Sequence, residues 1–485
     1  MAAPDNGNGI QVKGLTADSR QVQPGCLFAA LPGNRTDGRR FIAEAVTNGA
    51  SAVLAPEGVC LPEGAPRSVA LLTDPNPRRA LARMAARFYG LQPSTIAAVT
   101  GTSGKTSVAD FCRQLWCLQE IGAASLGTLG LVPPREDAPK SLTTPDPIEL
   151  HACLAALATD GIDHLVLEAS SHGLDQYRLD GIEPKAALFT NLSQDHLDYH
   201  DSMASYLAAK VRLFSEVLRS DGTAILNADA PEGGALLDVC AKRGLRVVTF
   251  GKSAQDFRLL EQQPTAHGQT LRFEVRGTAH ECRLALIGLF QAENVLGALA
   301  LASSCDADLS RAIEDLPRLA GVPGRMEYVG ASPNGGAIYV DYSHKPGALE
   351  TVLKSIRRHV ERELWVAFGC GGDRDRGKRP QMGAIATRLA DRVIVTDDNP
   401  RSEDPAAIRR EILAMAPGAM EIGDRGEAIA EAVAALRPGD ILVIAGKGHE
   451  TGQIVGNQVL PFDDRDVARA AASLADLAHP GGIAP

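Results

Sequence analysis

A short loop near the end of the chain gathers side chains that could bind a charged molecule. The sequence from 391 to 405 is DRVIVTDDNPRSEDP, in which an apolar run is followed at once by carboxylate, amide and guanidinium groups. One interpretation is an ordinary solvated loop, with Ser402 or Asp404 capping the helix that follows. The other is a site for a molecule that carries both charges, such as an amino acid. The groups concerned are Asp397, Asp398, Asn399, Pro400 and Arg401.

A second candidate is the glycine-rich segment GTSGKT, which joins an apolar run, TIAAVT, to an amphipathic stretch. Glycines let a backbone turn tightly and bring its N–H groups against phosphate oxygens, and a helix N-terminus adds partial positive charge there. Lys105 could reach the outer phosphates of a nucleotide, and the Thr106 hydroxyl could bind Mg²⁺. Val99 stands where the general phosphate-loop pattern has another glycine, and a purely structural turn is the alternative. The predicted ATP- or GTP-binding residues are Gly101, Thr102, Ser103, Gly104, Lys105 and Thr106.

Charged residues also follow two further apolar runs, in LVLEASSHGLDQYR (165–178) and LFTNLSQDHLDYH (188–200). Ligands of open α/β sheets bind outside the carboxyl ends of the strands, so these residues are expected near the glycine-rich loop. Oxygen-rich ligands suit Mg²⁺ better than zinc, and Glu168 is the expected metal ligand. Histidines that only complete the structure are the alternative. The candidates are Glu168, His172, Asp195, His196, Asp198 and His200.

Composition narrows the classes of protein to which the chain can belong. Its 485 residues are too many for one ordinary core and indicate about three domains. The apolar fraction of 45%, the charged fraction of 22% and the net charge of −10 argue for a globular protein without a nucleic-acid partner. No apolar run approaches the roughly 18 residues of a membrane span. Nine scattered cysteines without a CxxC pair indicate reduced thiols, so a cytoplasmic location is expected.

Apolar runs that are typical of buried strands alternate with helical stretches along most of the chain. This βαβ alternation predicts parallel sheets with helices on both faces. The stretch from 267 to 290 is predicted instead as an antiparallel pair. We therefore expect an α/β fold with three domains: a small α/β domain at 1–92, a doubly wound parallel sheet with the glycine-rich loop at 93–323, and a Rossmann-like α/β domain at 324–485.

In type and in order along the chain, these motifs resemble those of the Mur ligases, the ATP-dependent amide-bond ligases of peptidoglycan precursor synthesis. The resemblance covers nearly the whole chain, and TADSRQVQPGCLFAALPG is similar to the family's UDP-binding N-terminal domain. The matching segments are GTSGKT, TTPDP (143–147), LEASSHGL, TNLSQDHLDYH, YLAAKVRLF (206–214), GRME (324–327), VDYSHKPGALE (340–350), GCGGDRDRGKRP (369–380), DDNPR and AGKGHE (445–450).

This resemblance implies a reaction in which ATP phosphorylates a carboxylate of a nucleotide-linked D-glutamate, and an amine then attacks the acyl phosphate. It implies that Mg²⁺ is held by Thr106, Glu168 and Lys210, the last through the carbamylated lysine that the family has at this position. Without the resemblance, Lys210 would be taken for an exposed helix lysine. The implied catalytic residues are Lys105, Glu168, His196 and Lys210. Further ATP contacts are implied at Asn294, Arg325 and Asp341.

The nucleotide substrate implied by the resemblance is UDP-N-acetylmuramoyl-L-alanyl-D-glutamate. Arg178 has the clearest physical role, because a guanidinium pairs well with a carboxylate or a phosphate. The segment from Asn34 to Thr36 aligns with a loop on the uracil side but differs from the family's versions. The residues that match the family's contacts are Ser19, Thr143, Thr144, Ser170, Gln176 and Arg178.

Within the family, DNPR is the pattern of members that add meso-diaminopimelate, whose far end is a second amino acid. Arg401 would hold the carboxylate of that end as a fork, while Asp398 and Glu450 would accept hydrogen bonds from its ammonium. The implied amino-acid-binding residues are Arg374, Asp398, Asn399, Pro400, Arg401, Gly446 and Glu450.

Two alternatives to this function stay open at the level of the sequence. One is another ligase of the superfamily, which adds lysine or acts in folylpolyglutamate or cyanophycin synthesis. The other is a nucleotide-binding protein without ligase activity, which would keep GTSGKT but would not need Lys210, GRME and DNPR together. For the ligase that the resemblance implies, we expect a monomer that uses ATP and Mg²⁺.

Overall fold

The computed structural model describes residues 11–33, 36–136, 138–139, 142–265 and 267–478. The chain divides into two compact units, each of which it enters more than once. The first unit comprises Met1–Leu226, Ala230–Val248 and Leu301–Ala307. The second unit comprises Asn227–Asp229, Thr249–Ala300 and Asp308–Pro485. The domain limits expected at 92 and 323 stay predictions.

The first unit begins with a small parallel sheet whose strands lie side by side in chain order. These strands are β1 (Gly14–Thr16), β2 (Cys26–Ala29), β3 (Ala52–Pro56) and β4 (Ala70–Asp74). The helices of this part are α1 (Ile42–Thr47) and α2 (Pro77–Tyr89). Helix α2 begins where Asn76 accepts a hydrogen bond from the backbone N–H of Arg79, and it ends at Gly90, which has the left-handed backbone of a helix C-cap.

A second group of strands in the first unit carries the glycine-rich loop. Its members are β5 (Thr95–Thr100), β6 (Ala123–Gly127), β7 (Gly130–Val132), β8 (His164–Glu168), β9 (Ala186–Phe189) and β10 (Thr223–Asn227). They lie in the spatial order β10-β9-β5-β8-β6-β7, and all neighbours are parallel except β6 and β7. Every residue of β5 is buried, which explains why its sequence is an unbroken run and not an alternating one.

Helices connect these strands and cover them with apolar side chains. They are α3 (Lys105–Leu118), α4 (Pro147–Thr159), α5 (Ser171–Asp175), α6 (Met203–Arg212) and α7 (Gly233–Arg243). Helix α6 continues as a π-helical turn, Leu213–Val217. Strand β11 (Arg246–Gly251) leads from the first unit into the second.

The second unit starts with an antiparallel meander. It consists of β12 (Phe257–Thr265), β13 (Gly268–Val275) and β14 (Thr278–Leu284), followed by helices α8 (Phe290–Ser303) and α9 (Leu309–Asp315). The antiparallel pair predicted at 267–290 is confirmed as β13 and β14, and β12 adds a third strand that was not predicted. Strand β12 was not predicted because its sequence, FRLLEQQPT, contains few residues that favour strands. It forms a strand through its hydrogen-bonded pairing with β13.

The remainder of the second unit is built on a mostly parallel sheet. Its strands are β15 (Glu327–Ala331), β16 (Ala337–Asp341), β17 (Leu364–Phe368), β18 (Arg392–Val395), β19 (Met420–Glu421) and β20 (Ile441–Ala445). They lie in the order β15-β16-β20-β17-β18-β19, and only β15 runs antiparallel to its neighbour. A separate hairpin follows, formed by β21 (Gly452–Val455) and β22 (Gln458–Pro461).

Helices cover both faces of this sheet. They are α10 (Pro346–Ile356), α11 (Lys378–Leu389), α12 (Pro405–Leu413), α13 (Arg425–Ala435) and α14 (Asp464–Ala478). The first three pack in one apolar cluster and the last two in another, on the opposite face. The loops that follow β16, β17, β18 and β20 therefore emerge at one edge of the sheet, as ligand-binding loops of such sheets do.

The α/β fold class that the sequence predicted is confirmed. Each apolar run that predicted a parallel strand, from TIAAVT to DILVIAG, forms a strand, and most of these strands are buried; β11 is only partly buried. The capping interpretation of Asp404 also holds, since its carboxylate accepts a hydrogen bond from the backbone N–H of Ala406. Among the helices that the structure describes, none is long and apolar enough to cross a membrane.

Candidate functional site

The glycine-rich loop between β5 and α3 depends on two backbone positions where a side chain would be strained. Gly101 has a φ of 142°, and a Cβ atom there would lie 1.9 Å from Oγ1 of Thr190. Gly104 has a φ of 85° and immediately precedes the first turn of α3. The loop backbone therefore lies against the end of β9 and leads into a helix N-terminus, where N–H groups attract anions.

Residues after β9 hold this loop in shape. The backbone N–H of Thr102 donates to the carbonyl of Asn191 at 2.8 Å, and the N–H of Ser103 donates to Oδ1 of Asn191 at 3.0 Å. The hydroxyl of Thr190 donates to the carbonyl of Ser103 at 2.7 Å. Asn191 was not predicted from the sequence, although it lies within the motif TNLSQDHLDYH.

Two lysines donate to the same carbonyl oxygen of the loop. Nζ of Lys105 lies 3.0 Å from the carbonyl oxygen of Gly101 and 2.8 Å from that of Thr102. Nζ of Lys210, on α6, lies 2.8 Å from the same Gly101 oxygen. Lys210 is 1% exposed and its ammonium lies 4.3 Å from the ring centre of Tyr206. Lys210 is thus no surface lysine, and two positive charges meet beside the glycine-rich loop.

Glu168, at the end of β8, is buried and fixed by the turn between β6 and β7. Its Oε1 accepts a hydrogen bond from the backbone N–H of Thr128 at 2.7 Å, and its Oε2 accepts one from the Thr128 hydroxyl at 3.1 Å. A Cβ at Gly127 would lie 2.2 Å from Oε1, so only glycine fits there. The Thr128 hydroxyl also lies 3.3 Å from that of Thr143. Among the residues that the structure describes, neutral donors orient this carboxylate and no cationic side chain pairs with it.

The expected Mg²⁺ fits the residues of this region in part. The hydroxyl of Thr106 and the carboxylate of Glu168 are oxygen donors of the kind that Mg²⁺ prefers, and both residues are buried. Lys210 in its ammonium form offers no lone pair to a metal. In the described part of the chain, no group of three or more histidine, cysteine, aspartate or glutamate side chains could hold a metal ion. Magnesium in proteins commonly completes such a partial set with substrate phosphates and water.

Histidine and tyrosine rings form a cluster next to the loop. The ring centre of His172 lies 4.8 Å from that of His196 and 5.7 Å from that of His200. The ring of His200 lies 5.2 Å from that of Tyr206, whose hydroxyl is 3.1 Å from that of Thr102. Burial lowers the pKa of His172 and of His200, which favours their neutral forms. Tyr206 thus links the predicted histidines to the glycine-rich loop.

The two aspartates predicted in this segment have different surroundings. Oδ1 of Asp195 accepts a hydrogen bond from the backbone N–H of His196 at 2.7 Å, and its Oδ2 lies 3.5 Å from Nε2 of that histidine. His196 has a left-handed backbone with a φ of 53°. Asp198 is exposed. Of the pair, Asp195 is therefore the one placed to orient His196.

Most of the residues predicted to bind the nucleotide substrate lie in one hydrogen-bonded network. The hydroxyl of Thr144 donates to the carbonyl of Glu168 at 2.7 Å and accepts from the N–H of Ser170 at 3.0 Å. Arg178 donates to the carbonyl of Thr144 at 2.7 Å and to Oε1 of Gln176 at 2.8 Å. Thr144 therefore joins the substrate residues to the backbone of the proposed metal ligand.

The N-terminal candidates are placed elsewhere. Ser19 is buried, and its hydroxyl donates to Oε2 of Glu44 at 2.7 Å. Its carbonyl accepts a hydrogen bond from Asn48 at 3.0 Å. Asn34 and Arg35 lie outside the described residues. The structure thus gives Ser19 protein partners but does not join it to the network around Thr144.

The expected ATP contacts of the second unit fall in two places. Oδ2 of Asp341 accepts from the N–H of Met326 at 2.9 Å, and burial raises the pKa of this carboxyl. The guanidinium of the neighbouring Arg325 lies 4.5 Å from the ring centre of Tyr342. Asn294, on α8, donates from its amide to Oε1 of Gln291 at 3.0 Å. Arg325 and Asp341 are thus brought together by the loop before β15.

Arg401 lies in a strained and well-anchored loop after β18. Its φ is 52°, its N–H donates to the carbonyl of Ile454 at 3.0 Å, and its carbonyl accepts from the N–H of Gly456 at 2.8 Å. Nη1 donates to the carbonyl of Gly372 at 2.9 Å. No carboxylate in the described part of the chain pairs with this half-buried guanidinium. Arg401 therefore offers donors to an external anion.

Carboxylates and an amide lie beside Arg401 at the same edge of the sheet. Asp398 is 7% exposed, and a Cβ at Gly446 would lie 2.6 Å from its Oδ2. Asn399 donates from Nδ2 to Oε2 of Glu450 at 3.0 Å. The structure thus brings together Asp398, Asn399, Pro400, Arg401, Gly446 and Glu450. Arg374 lies on the loop after β17, where it is exposed.

A fully buried ion pair clamps the loops that carry these residues. Arg425 and Asp464 are both 0% exposed, and two guanidinium nitrogens contact the two carboxylate oxygens at 2.7 Å. The same guanidinium donates to the carbonyl of Asp397 at 3.2 Å and to that of Ala445 at 3.0 Å. These carbonyls mark the ends of β18 and β20. This ion pair was not predicted from the sequence, because neither Arg425 nor Asp464 lies in a motif that indicates a function.

Comparisons with known proteins agree with this description. Residues 11–89 match the family model "Mur ligase family, catalytic domain", residues 99–302 match "Mur ligase middle domain", and residues 324–448 match "Mur ligase, glutamate ligase domain". A protein of Bradyrhizobium diazoefficiens is 51% identical over 469 residues, covering 95% of each chain. One of Caulobacter vibrioides is 51% identical over 459 residues, covering 93% of this chain and 94% of its own.

Both relatives are called UDP-N-acetylmuramoyl-L-alanyl-D-glutamate–2,6-diaminopimelate ligase. A solved structure with the same name is 34% identical, with a TM-score of 0.70, and covers 96% of this chain and 95% of its own. The fold and the matches define a class, the α/β enzymes that form amide bonds with ATP. Within that class, this chain belongs to the Mur ligase family.

Proposed function

We propose that this protein joins meso-diaminopimelate to UDP-N-acetylmuramoyl-L-alanyl-D-glutamate, with conversion of ATP to ADP and phosphate. The observation that carries the proposal is the placement of both charges at one edge of the sheet. The half-buried Arg401 has no carboxylate partner in the described chain, and Asp398 and Glu450 belong to the same group of loops. Such a site complements a zwitterion. The names of the relatives that are 51% identical support the same assignment.

The first chemical step is the activation of the D-glutamate carboxylate. A carboxylate oxygen attacks the γ-phosphorus of ATP, the bond from that phosphorus to the bridging oxygen breaks, and ADP leaves. Lys105, at the glycine-rich loop, stabilises the negative charge that spreads over the phosphoryl oxygens. Magnesium, held by Thr106 and Glu168, would neutralise further phosphate charge. Carbamylation of Lys210 would replace the ammonium beside Gly101 with a carboxylate-like group.

The second step forms the amide bond. The amine of the acceptor attacks the carbonyl carbon of the acyl phosphate, a proton leaves the nitrogen, and the bond to phosphate breaks. Arg178 and Thr144 are proposed to hold the nucleotide substrate, because they lie in the network that includes the backbone of Glu168. Arg401 and Glu450 are proposed to hold the far end of the acceptor, so that its amine has a defined position.

This function predicts discrimination against lysine. The far end of lysine has an ammonium but no carboxylate, so Arg401 would lose water without gaining an ion pair. An unpaired desolvated charge costs on the order of 2–5 kcal/mol. All nine cysteines are free thiols, which supports the proposed cytoplasmic location.

The test is phosphate release from ATP in the presence of the nucleotide substrate and either meso-diaminopimelate or L-lysine. We expect release only with substrate and acceptor together, and a strong preference for meso-diaminopimelate. Arg401→Ala should lower kcat/KM for meso-diaminopimelate about 100-fold and should remove the preference. The control is Arg388→Ala, because Arg388 is an exposed arginine of the same unit that pairs with Glu350.

Two results would contradict the proposal in different ways. Equal use of lysine by the wild-type protein would keep a ligase but reject the proposed acceptor. Phosphate release that does not depend on the nucleotide substrate would indicate a nucleotide-hydrolysing protein without ligase activity.

A further inference from the structure

A buried lysine in the second unit has no role in the reaction as proposed. Lys447 lies in the loop after β20, and its side chain is 0% exposed. Lysine is almost never buried without partners, because removing its ammonium from water is costly. The contacts of Lys447 therefore indicate what its charge does in the folded protein.

The ammonium of Lys447 contacts two residues of the proposed acceptor site. Nζ lies 3.1 Å from Oδ1 of Asn399 and 3.3 Å from Oε2 of Glu450. Asn399 donates from Nδ2 to the same Oε2 at 3.0 Å, and its Oδ1 also accepts from the N–H of Ile454 at 2.9 Å. Each of these three side chains is hydrogen-bonded to the other two, and these bonds fix their orientations.

This arrangement makes the two oxygens of Glu450 unequal. Oε2 receives two protein donors, from Asn399 and Lys447, whereas no donor in the described part of the chain reaches Oε1. The Glu450 side chain is 35% exposed, so a ligand can approach it. Oε1 is therefore the oxygen with full capacity to accept a hydrogen bond from a bound molecule.

Lys447 also contributes to the charge of the site. It adds one positive charge beside Glu450, whatever the sum over the other charged residues, Asp398, Arg374 and Arg401. A further positive charge disfavours a cationic end, such as the side chain of lysine, relative to the neutral zwitterionic end of an amino acid.

We propose that Lys447 is a positioning and specificity-determining residue for the acceptor. Together with Asn399 it holds Oε2 of Glu450, so that Oε1 receives the ammonium at the far end of the acceptor. Its charge favours a zwitterionic end over a cationic one. This inference rests on the proposed function, since it concerns the same acceptor site.

The test replaces Lys447 with an uncharged side chain of similar length, Lys447→Met. We expect kcat/KM for meso-diaminopimelate to fall about 10-fold, mainly through KM, while KM for ATP and for the nucleotide substrate stays within about twofold. The preference for meso-diaminopimelate over L-lysine should also fall about 10-fold. The matched control is Lys354→Met, because Lys354 is a lysine of the same unit that pairs with Glu350 at the surface.

Two further variants separate positioning from folding. Lys447→Arg keeps the charge and should keep the preference between the two acceptors. Lys447→Gln is a second uncharged variant and should lose that preference as Lys447→Met does. If neither uncharged variant folds, Lys447 serves the fold alone and the inference is overturned.

The outcomes also distinguish this inference from the proposed function. A wild-type protein without acceptor-dependent phosphate release would reject the proposed function itself. A wild-type protein with that activity, and a Lys447→Met variant with an unchanged acceptor preference, would reject the role of Lys447 alone. An equal rise in KM for all three substrates would indicate general loss of structure and would likewise overturn the inference.

Discussion

At the scale of single residues, the orientation of Glu168 depends on one neutral neighbour. The backbone N–H and the hydroxyl of Thr128 each bind one oxygen of the carboxylate. Neutral donors orient a carboxylate without cancelling its charge, so the charge stays available to a metal ion. Thr128 is thus placed to orient Glu168, the expected metal ligand, and not to serve as a ligand in its place.

Removal of the Thr128 hydroxyl tests this arrangement. Thr128→Val keeps the backbone donor and the shape of the side chain but loses the hydrogen bond to Oε2. We expect kcat to fall about 10-fold and the Mg²⁺ concentration for half-maximal rate to rise, since hydrogen bonds to charged groups contribute about 1.5–3 kcal/mol. The control is Thr351→Val, at an exposed hydroxyl that donates within α10. Unchanged magnesium dependence would rule out a role for Thr128 in orienting Glu168.

The residues that the sequence predicted and those it missed differ in a physical respect. Gly101 and Lys105 belong to a local motif, in which neighbours in sequence are also neighbours in space. Thr128 lies 40 residues from Glu168, and Asn191 lies 88 residues from Ser103. Such pairs meet only through the folded sheet. The motif residues could be predicted, but the side chains that orient them could not.

At the scale of elements, the hairpin β21–β22 supports the loop that carries Arg401. Nε2 of Gln453 donates to the carbonyl of Asp398 at 2.7 Å, and the N–H of Arg401 donates to the carbonyl of Ile454. The strands of the sheet could be predicted because burial on both faces demands apolar runs. The hairpin could not, because β22 is exposed at every residue and its sequence shows no buried face.

Gln453→Ala tests the support that the hairpin gives. The substitution removes the side-chain donor to the Asp398 carbonyl, which should loosen the loop before Arg401. We expect KM for meso-diaminopimelate to rise about fivefold with little change in KM for ATP, since a single hydrogen bond contributes about 1 kcal/mol. Gln458→Ala, at an exposed glutamine of β22, is the control. A rise in both KM values together would point to a wider loss of structure.

At the scale of the whole molecule, burial of histidines couples stability to pH. Burial lowers the pKa of each of the histidines that are packed inside the protein, and for His449 it lowers the pKa to about 4. These histidines are His151, His164, His172, His200, His359 and His449. A proton binds such a group in the unfolded chain at higher pH than in the folded one. Acid therefore favours unfolding.

The direction of this pH effect on stability gives a prediction for His449. The contribution of His449 is fully present above about pH 6.5 and is lost as pH falls toward about 4. His449→Gln should therefore flatten the pH dependence of unfolding by at most about 1.4 kcal/mol per pH unit. The measurement is the thermal unfolding midpoint between about pH 7 and pH 5. The control is His267→Gln, at an exposed histidine, and equal slopes in the two variants would contradict the prediction.

The buried pair of Arg425 and Asp464 has a consequence for the synthesis of the chain. Asp464 is the first residue of α14, yet its partner clamps the loops at the ends of β18 and β20. A ribosome releases those loops before it releases Asp464. Until then Arg425 lacks Asp464, the carboxylate that it pairs with in the folded protein, and an unpaired charge resists burial. The proposed acceptor site is therefore completed only after α14 has begun to emerge, and a nascent chain that stops before α14 would contain every proposed acceptor residue but lack the clamp that holds them.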